Sequence, residues 1–100
     1  MADFKMHNQE IQDRSGRRVG KIYNQEIQDH TGRRVGKVYN QEIQDSTGKR
    51  IGKIYNKEVQ DSTGRKITTI DEIRKQIDGT SIMDPIFVAA LWFCFVKRGI

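Results

Sequence analysis

The stretch Asn24-Gln25-Glu26-Ile27-Gln28-Asp29-His30-Thr31-Gly32-Arg33-Arg34-Val35-Gly36-Lys37-Val38-Tyr39 decides the fold. It recurs with few changes as Asn8–Tyr23 and Asn40–Tyr55, and again as Asn56–Ile70, where Ile67-Thr68-Thr69-Ile70 replaces the usual ending. Self-similarity at a fixed period is the signature of a repeat architecture. Within the unit, Asp29 and Gly32 bracket a turn. Asp at the first position of a type I turn accepts backbone hydrogen bonds, and Gly at the fourth supplies the left-handed conformation of the bulge that follows. The same signal stands at Asp13–Gly16, Asp45–Gly48 and Asp61–Gly64. Strand-like runs flank each turn, here Glu26-Ile27-Gln28 before it and Arg33 to Tyr39 after it. The expected fold is therefore mainly β: four tandem 16-residue antiparallel β-hairpin repeats, with short C-terminal helices.

The inward candidates of the second copy are Ile27, Val35, Val38 and Tyr39. Strict alternation fails between Val35 and Val38, and a bulge or bend at Gly20, Gly36 and Gly52, using a glycine-only backbone, restores the inward facing of both. Asn24, Asn40 and Asn56 suit the bend from one hairpin to the next. Met6-His7 stands where Ile-Tyr closes a copy, so the N-terminus is expected to complete the ring or stack. One such hairpin has too few apolar residues to stand alone, whereas four around an axis share a core.

Gly16-Arg17-Arg18-Val19-Gly20-Lys21-Ile22, repeated as Gly32–Val38 and Gly48–Ile54 and partially as Gly64–Ile67, resembles the signature of the four-fold β-flower repeat proteins. The resemblance covers about residues 6–70. It implies hairpin petals around a pseudo-four-fold axis and implies no activity, because fold does not fix function.

Beyond the repeats, Thr69-Ile70-Asp71-Glu72 has the form of a capping box. Ile70, Ile73 and Ile77 then share a helical face and Gly79 provides a stop, which predicts an amphipathic linker helix over 71–79 docked on the repeats rather than on a membrane. Pro85 suits the first turn of another helix. Ile86 to Val96 is an apolar run of eleven residues closed by Lys97-Arg98. As a helix it reaches about 16 Å against a bilayer core of about 30 Å. A helix apolar around its whole circumference needs enclosure, and so small a domain is expected to enclose it poorly. Membrane insertion through Ile86, Phe87, Leu91, Trp92, Phe93, Phe95 and Val96 is thus the favoured expectation, ahead of burial in an oligomer or in the chain's own core. The chain divides on this reading into a repeat domain (1–70), the linker helix (71–79) and a hydrophobic segment (80–100).

The chain of 100 residues is 35% apolar and 31% charged, with a net charge of +5. Residues 1–70 hold 14 Lys/Arg against 9 Asp/Glu, and residues 71–100 hold four of each, so the net charge lies on the repeats. Such a surface attracts anionic lipid, phosphorylated small molecules or nucleic acid. The basic pairs Arg17-Arg18, Arg33-Arg34, Lys49-Arg50 and Arg65-Lys66 point one member outward. Arg18, Arg34 and Arg50, with Lys21, Lys37 and Lys53, are the ligand-binding candidates, since guanidinium groups hold phosphates bidentately. The blander reading pairs them across the hairpin with Glu10, Glu26, Glu42 and Glu58. Tyr23, Tyr39 and Tyr55 could stack bases beside those cations, but as repeat residues they are expected in the core.

No catalytic residue, cofactor motif or metal-ligand spacing is present in the sequence, so no enzyme is expected. The turn Asp is accounted for by the turn, and His7 and His30 occupy unrelated repeat positions. The single cysteine, Cys94, excludes an intramolecular disulfide. The N-terminus lacks an apolar signal core, which places the repeats in the cytoplasm, at the inner face of a membrane. The leading expectation is a membrane-associated, self-associating binding or structural module. Its alternative is a ligand-gated membrane effector that senses a nucleotide-like anion. Nucleic acid is the less favoured partner.

Overall fold

The computed structural model describes residues 3–81 and 83–97. Ile82 and residues 98–100, Arg98 included, belong by sequence to the hydrophobic segment and lie outside the described residues. The elements are β1 (Phe4–His7), β2 (Glu10–Asp13), β3 (Arg18–Tyr23), β4 (Glu26–Asp29), β5 (Arg34–Tyr39), β6 (Glu42–Asp45), β7 (Arg50–Tyr55), β8 (Glu58–Asp61), β9 (Lys66–Thr69), α1 (Ile70–Gln76), β10 (Ile77–Asp78), α2 (Pro85–Leu91) and a π-helix over Trp92–Lys97.

Two kinds of turn alternate along a continuous meander. At the Asp turns the Gly16 N–H donates to the Asp13 carbonyl at 3.0 Å, as do Gly32 to Asp29, Gly48 to Asp45 and Gly64 to Asp61. Each of these glycines has φ near +90°. At the opposite ends of the strands Asn8, Asn24, Asn40 and Asn56 adopt φ of 55–59°, a left-handed conformation that Asn tolerates better than other side-chain-bearing residues. The ladder of each Asp-turn hairpin runs on to that end, where the Gln9, Gln25, Gln41 and Lys57 carbonyls accept from the Ile22, Val38, Ile54 and Ile70 N–H groups at 2.8–3.0 Å.

Ile27 stands opposite Gly36, yet Gln28 stands opposite Arg34, so Val35 is the extra residue of a β-bulge. The same shift recurs in the neighbouring repeats. The bulge thus falls one position before the glycine. Gly36 and Val38 then face inward and Tyr39 faces out, which corrects the expectation of a tyrosine core: Tyr23, Tyr39 and Tyr55 are 58%, 59% and 63% exposed. The glycine-only backbone is corrected as well, since positive φ occurs at the turn glycines and at Gly79 but not at Gly20, Gly36 or Gly52.

Ten strands lie in one sheet, ordered β10-β1-β2-β3-β4-β5-β6-β7-β8-β9. Laid flat they would extend over about 40 Å, but the molecule measures 34 × 28 × 25 Å. The outermost strands, β9 and β10, are moreover joined by the seven residues of α1, about 10 Å of helix. The sheet is therefore rolled almost shut. The four hairpins closed by the Asp turns, β2–β3, β4–β5, β6–β7 and β8–β9, form four petals, and α1, β10 and β1 build a fifth sector from sequence that departs from the repeat. β10 pairs in parallel with β1, Phe4 opposite Ile77 and Lys5 opposite Asp78, so the N-terminal strand completes the ring.

Inside the roll lie α2 and the π-helix. Ile86, Leu91, Trp92 and Phe93 are no more than 9% exposed and share one core with Ile11, Ile27, Ile43 and Val59, all fully buried. Phe87, Phe95 and Val96 pack against the same core. The apolar run thus takes the least favoured of its three expected places, and the division at residues 70 and 79 does not separate independent packing units. The physical reason is the glycine column. A Cβ on Gly20, Gly36 or Gly52 would stand 2.2 Å from Phe95 Cζ, 2.8 Å from Cys94 Sγ or 2.4 Å from Phe93 Cζ, respectively. The wall is bare there, and the helix fits against it. No helix among the described residues is long and apolar enough to cross a membrane.

The helices start as their sequences predict. Thr69 Oγ1 accepts from the Glu72 N–H at 3.2 Å, and the Asp84 carboxylate accepts from the Ile86 N–H at 3.2 Å ahead of Pro85. Ile70, Ile73 and Ile77 are all buried. α1 ends at Gln76 rather than at Gly79 because Ile77 enters the sheet. Gln76 Oε1 accepts from Trp92 Nε1 at 3.2 Å, which ties α1 to the axial helix.

Candidate functional site: a cationic rim

The Asp turns gather at one end of the rolled sheet and form its rim. Each is rigid for a local reason. Asp45 Oδ1 accepts from the Thr47 N–H at 2.9 Å, the Thr47 hydroxyl at 2.6 Å and the Lys49 N–H at 3.1 Å. Asp13, Asp29 and Asp61 repeat the pattern. The hydroxyl of Ser15, Thr31, Thr47 or Thr63, followed by the backbone N–H groups, holds each carboxyl below the usual range, against a partial loss of solvent that pushes the other way. Among the described residues no three His, Cys, Asp or Glu side chains are grouped to hold a metal ion.

The nine ligand candidates do not form one site. Arg18, Arg34 and Arg50 lace one petal to the next. Their Nη2 groups donate to the His30, Ser46 and Ser62 carbonyls of the following turn at 3.3, 3.0 and 3.1 Å. Their Nη1 groups pair with Glu10, Glu26 and Glu42 at 3.2, 3.6 and 3.4 Å. These arginines thus pair across the hairpin with its glutamates. Lys21, Lys37 and Lys53 sit half-buried on the outer face, opposite Glu10, Glu26 and Glu42. Tyr23, Tyr39 and Tyr55 stand farther along that face, opposite Glu26, Glu42 and Glu58, at the end away from the rim.

The cations that do project from the rim are the first members of the pairs. Arg17 and Arg33 lean on Asp13 and Asp29 at 3.5 and 3.7 Å with side chains 81% and 82% exposed. Lys49 and Arg65 occupy the same position and are exposed. The signal that marks them is their place directly after the turn glycine and before the strand begins. Between adjacent turns lie equivalent clefts: Arg17, Arg18 and Val19 face His30, and Arg33, Arg34 and Val35 face Ser46. In the third, of about 620 Å³, Lys49, Arg50 and Ile51 face Ser62 over a floor that includes Phe93 and Cys94. Each joins two cations to a β-branched apolar wall.

Neither the curated proteins nor the solved structures contain a match to this chain. A family profile described as 5-fold beta-flower protein matches residues 4–82. That span covers the four petals and every strand and helix of the fifth sector, in agreement with the five-sector ring. The chain belongs to the five-fold β-flower family.

Proposed function

We propose that this chain is a non-enzymatic binding module whose rim takes phosphate-bearing anions. One observation carries the reading: Arg17, Arg33, Lys49 and Arg65 recur on rigid turns around a single mouth, while the neighbouring arginines are already engaged in holding petals together. Preorganised cations lose less entropy on binding, and a guanidinium matches a phosphate bidentately. A cytoplasmic setting belongs to the proposal. Free small molecules and lipid headgroups both carry such phosphates, and the chemistry at the rim is the same for either. The test is the melting temperature of the intact chain with inorganic triphosphate, alongside flotation with vesicles containing phosphatidylinositol phosphate. A variant carrying Arg17→Gln, Arg33→Gln, Lys49→Gln and Arg65→Gln should lose the response while folding normally. If wild type and variant respond alike in both arms, the rim is not the site.

A second reading, ligand-controlled signalling, is favoured by the floor of the third cleft. Phe93 and Cys94 belong to the axial helix, so an occupant there would touch the apolar segment directly. Hydrogen exchange over residues 86–96, compared with and without triphosphate, tests that link; identical protection would leave only binding.

A further inference from the structure

The end of the strands opposite the rim carries grooves of a different character. Tyr23, Tyr39 and Tyr55 are exposed large hydrophobic side chains on the outer surface, one on each of three consecutive petals. Between the first two lies a groove of about 640 Å³ whose lining includes Tyr23, Gln25, Glu26, Lys37, Tyr39 and Arg34, the last paired with Glu26 at 3.6 Å. The next repeats it with Asn40, Gln41, Glu42, Lys53 and Tyr55. The first volume lies within the range of roughly 300–1,000 Å³ typical of small-ligand sites.

We propose that these grooves are saccharide subsites and that the chain binds a neutral glycan along its tyrosine-bearing petals. The chemistry of the lining selects this class. A tyrosine face accepts the C–H face of a pyranose ring by apolar contact. The Asn and Gln amides, the Glu carboxylate and the Lys ammonium offer donors and acceptors to its hydroxyls. The lining is of mixed charge, with Glu26 among Lys37 and Arg34 in the first groove and Glu42 beside Lys53 in the second, so neither groove is the purely basic track that suits a polyanion. Single-stranded nucleic acid, which also stacks on aromatic rings, wants a basic track without such carboxylates.

Repetition adds a second effect. Equivalent tyrosines are two strands apart, roughly 10 Å at the backbone, so a branched or extended glycan can engage more than one groove at once. Individually weak subsites then act together through effective concentration. The tyrosines stand at the end of the strands away from the rim, although Glu26 and Arg34 line both the first groove and the rim cleft beside it.

The test uses the full chain and four neutral matrices: cellulose, chitin, starch and mannan. Wild type should be retained on at least one and released by soluble oligosaccharide of the same polymer. A Tyr23→Ala, Tyr39→Ala, Tyr55→Ala variant should melt within a few degrees of wild type, since these side chains are mostly exposed, and should not be retained. Tyr39→Ala alone should weaken apparent affinity at least about fivefold if the subsites cooperate. The four-fold rim variant should bind glycan as wild type does, which separates this site from the rim. Failure of wild type to bind any of the four matrices overturns the proposal. So does undiminished retention of the triple variant, or binding of a single-stranded oligonucleotide at the tyrosines instead.

Discussion

Gly52 and Phe93 are packed so closely that a Cβ on the glycine would stand 2.4 Å from the phenylalanine Cζ and 2.9 Å from the Gln60 carbonyl oxygen. The glycine is required by its neighbour and not by its own backbone. Gly48 is the reverse case, with φ of +91° and nothing within 4 Å of the place a Cβ would take.

Gly52→Ala should therefore destabilise the fold by about 1–3 kcal/mol through overpacking. Gly48→Ala should cost about 1–2 kcal/mol through left-handed strain. Phe93→Ala in the same chain should relieve the part of the first cost that comes from the ring, leaving the Gln60 carbonyl contact, and none of the second. A double-mutant cycle by chemical denaturation measures the difference; equal coupling at the two glycines would contradict the distinction.

The turn aspartates set an acid limit. Their carboxyls are held below the usual range in the folded chain, first by the neighbouring hydroxyl. The unfolded chain then binds more protons as pH falls, so the stabilisation is complete above the ordinary carboxylate value of about 4 and is lost as pH falls through the depressed folded value. The melting temperature should be nearly level from about pH 7 to about pH 5 and fall below about pH 4. Thr31→Val, Thr47→Val and Thr63→Val together should lower it at neutral pH and flatten the acid slope.

Leu91 is fully buried inside the rolled sheet. Leu91→Lys should cost at least about 3 kcal/mol, by losing apolar packing and burying a charge. A chain ending at Gly79 lacks the axial helix and should show no cooperative thermal transition. A stably folded Leu91→Lys protein would mean that the helix leaves the ring in solution.

Arg34 reaches both Ser46 and Glu26. Lysine offers a single point of attachment, so Arg34→Lys should destabilise by a few tenths to about 1 kcal/mol, the scale of an exposed pair. Lys66, which stands at the corresponding position of the last repeat, should tolerate Lys66→Ala with a smaller change in melting temperature.

The petals are legible in the sequence because their information is local. Asp29, Thr31 and Gly32 encode a turn within four residues, and Asn24 encodes the reverse turn by itself. The sectors and the site depend on contacts between distant residues. Ile77 and Asp78 give no sign of pairing with Phe4 and Lys5, since two residues cannot announce a strand. Gly36 announces a special position but not that Cys94 lies against it, far along the chain. The tyrosines are expected inward only because they recur, whereas Tyr39 directly follows the inward Val38 and alternation turns it out. Arg18, Arg34 and Arg50 stand out by repetition alone, whereas their role follows from the next petal's carbonyls, which only the curled sheet brings near.

The π-helix has a geometric consequence. Phe93, Cys94 and Phe95 meet Gly52, Gly36 and Gly20 in turn, one residue per petal. Five sectors set neighbouring petals about 72° apart. An α-helix advances about 100° per residue, and the wider π-helix advances roughly 80°. The axial helix is wound nearly in phase with the ring around it, as a bolt is cut to its nut. Turning it by one petal is then close to advancing it by one residue, and the alternative seatings differ chiefly in which side chain meets which glycine. The sequence of sizes, large at Phe93, small at Cys94 and large at Phe95, is what selects a single seating from that set.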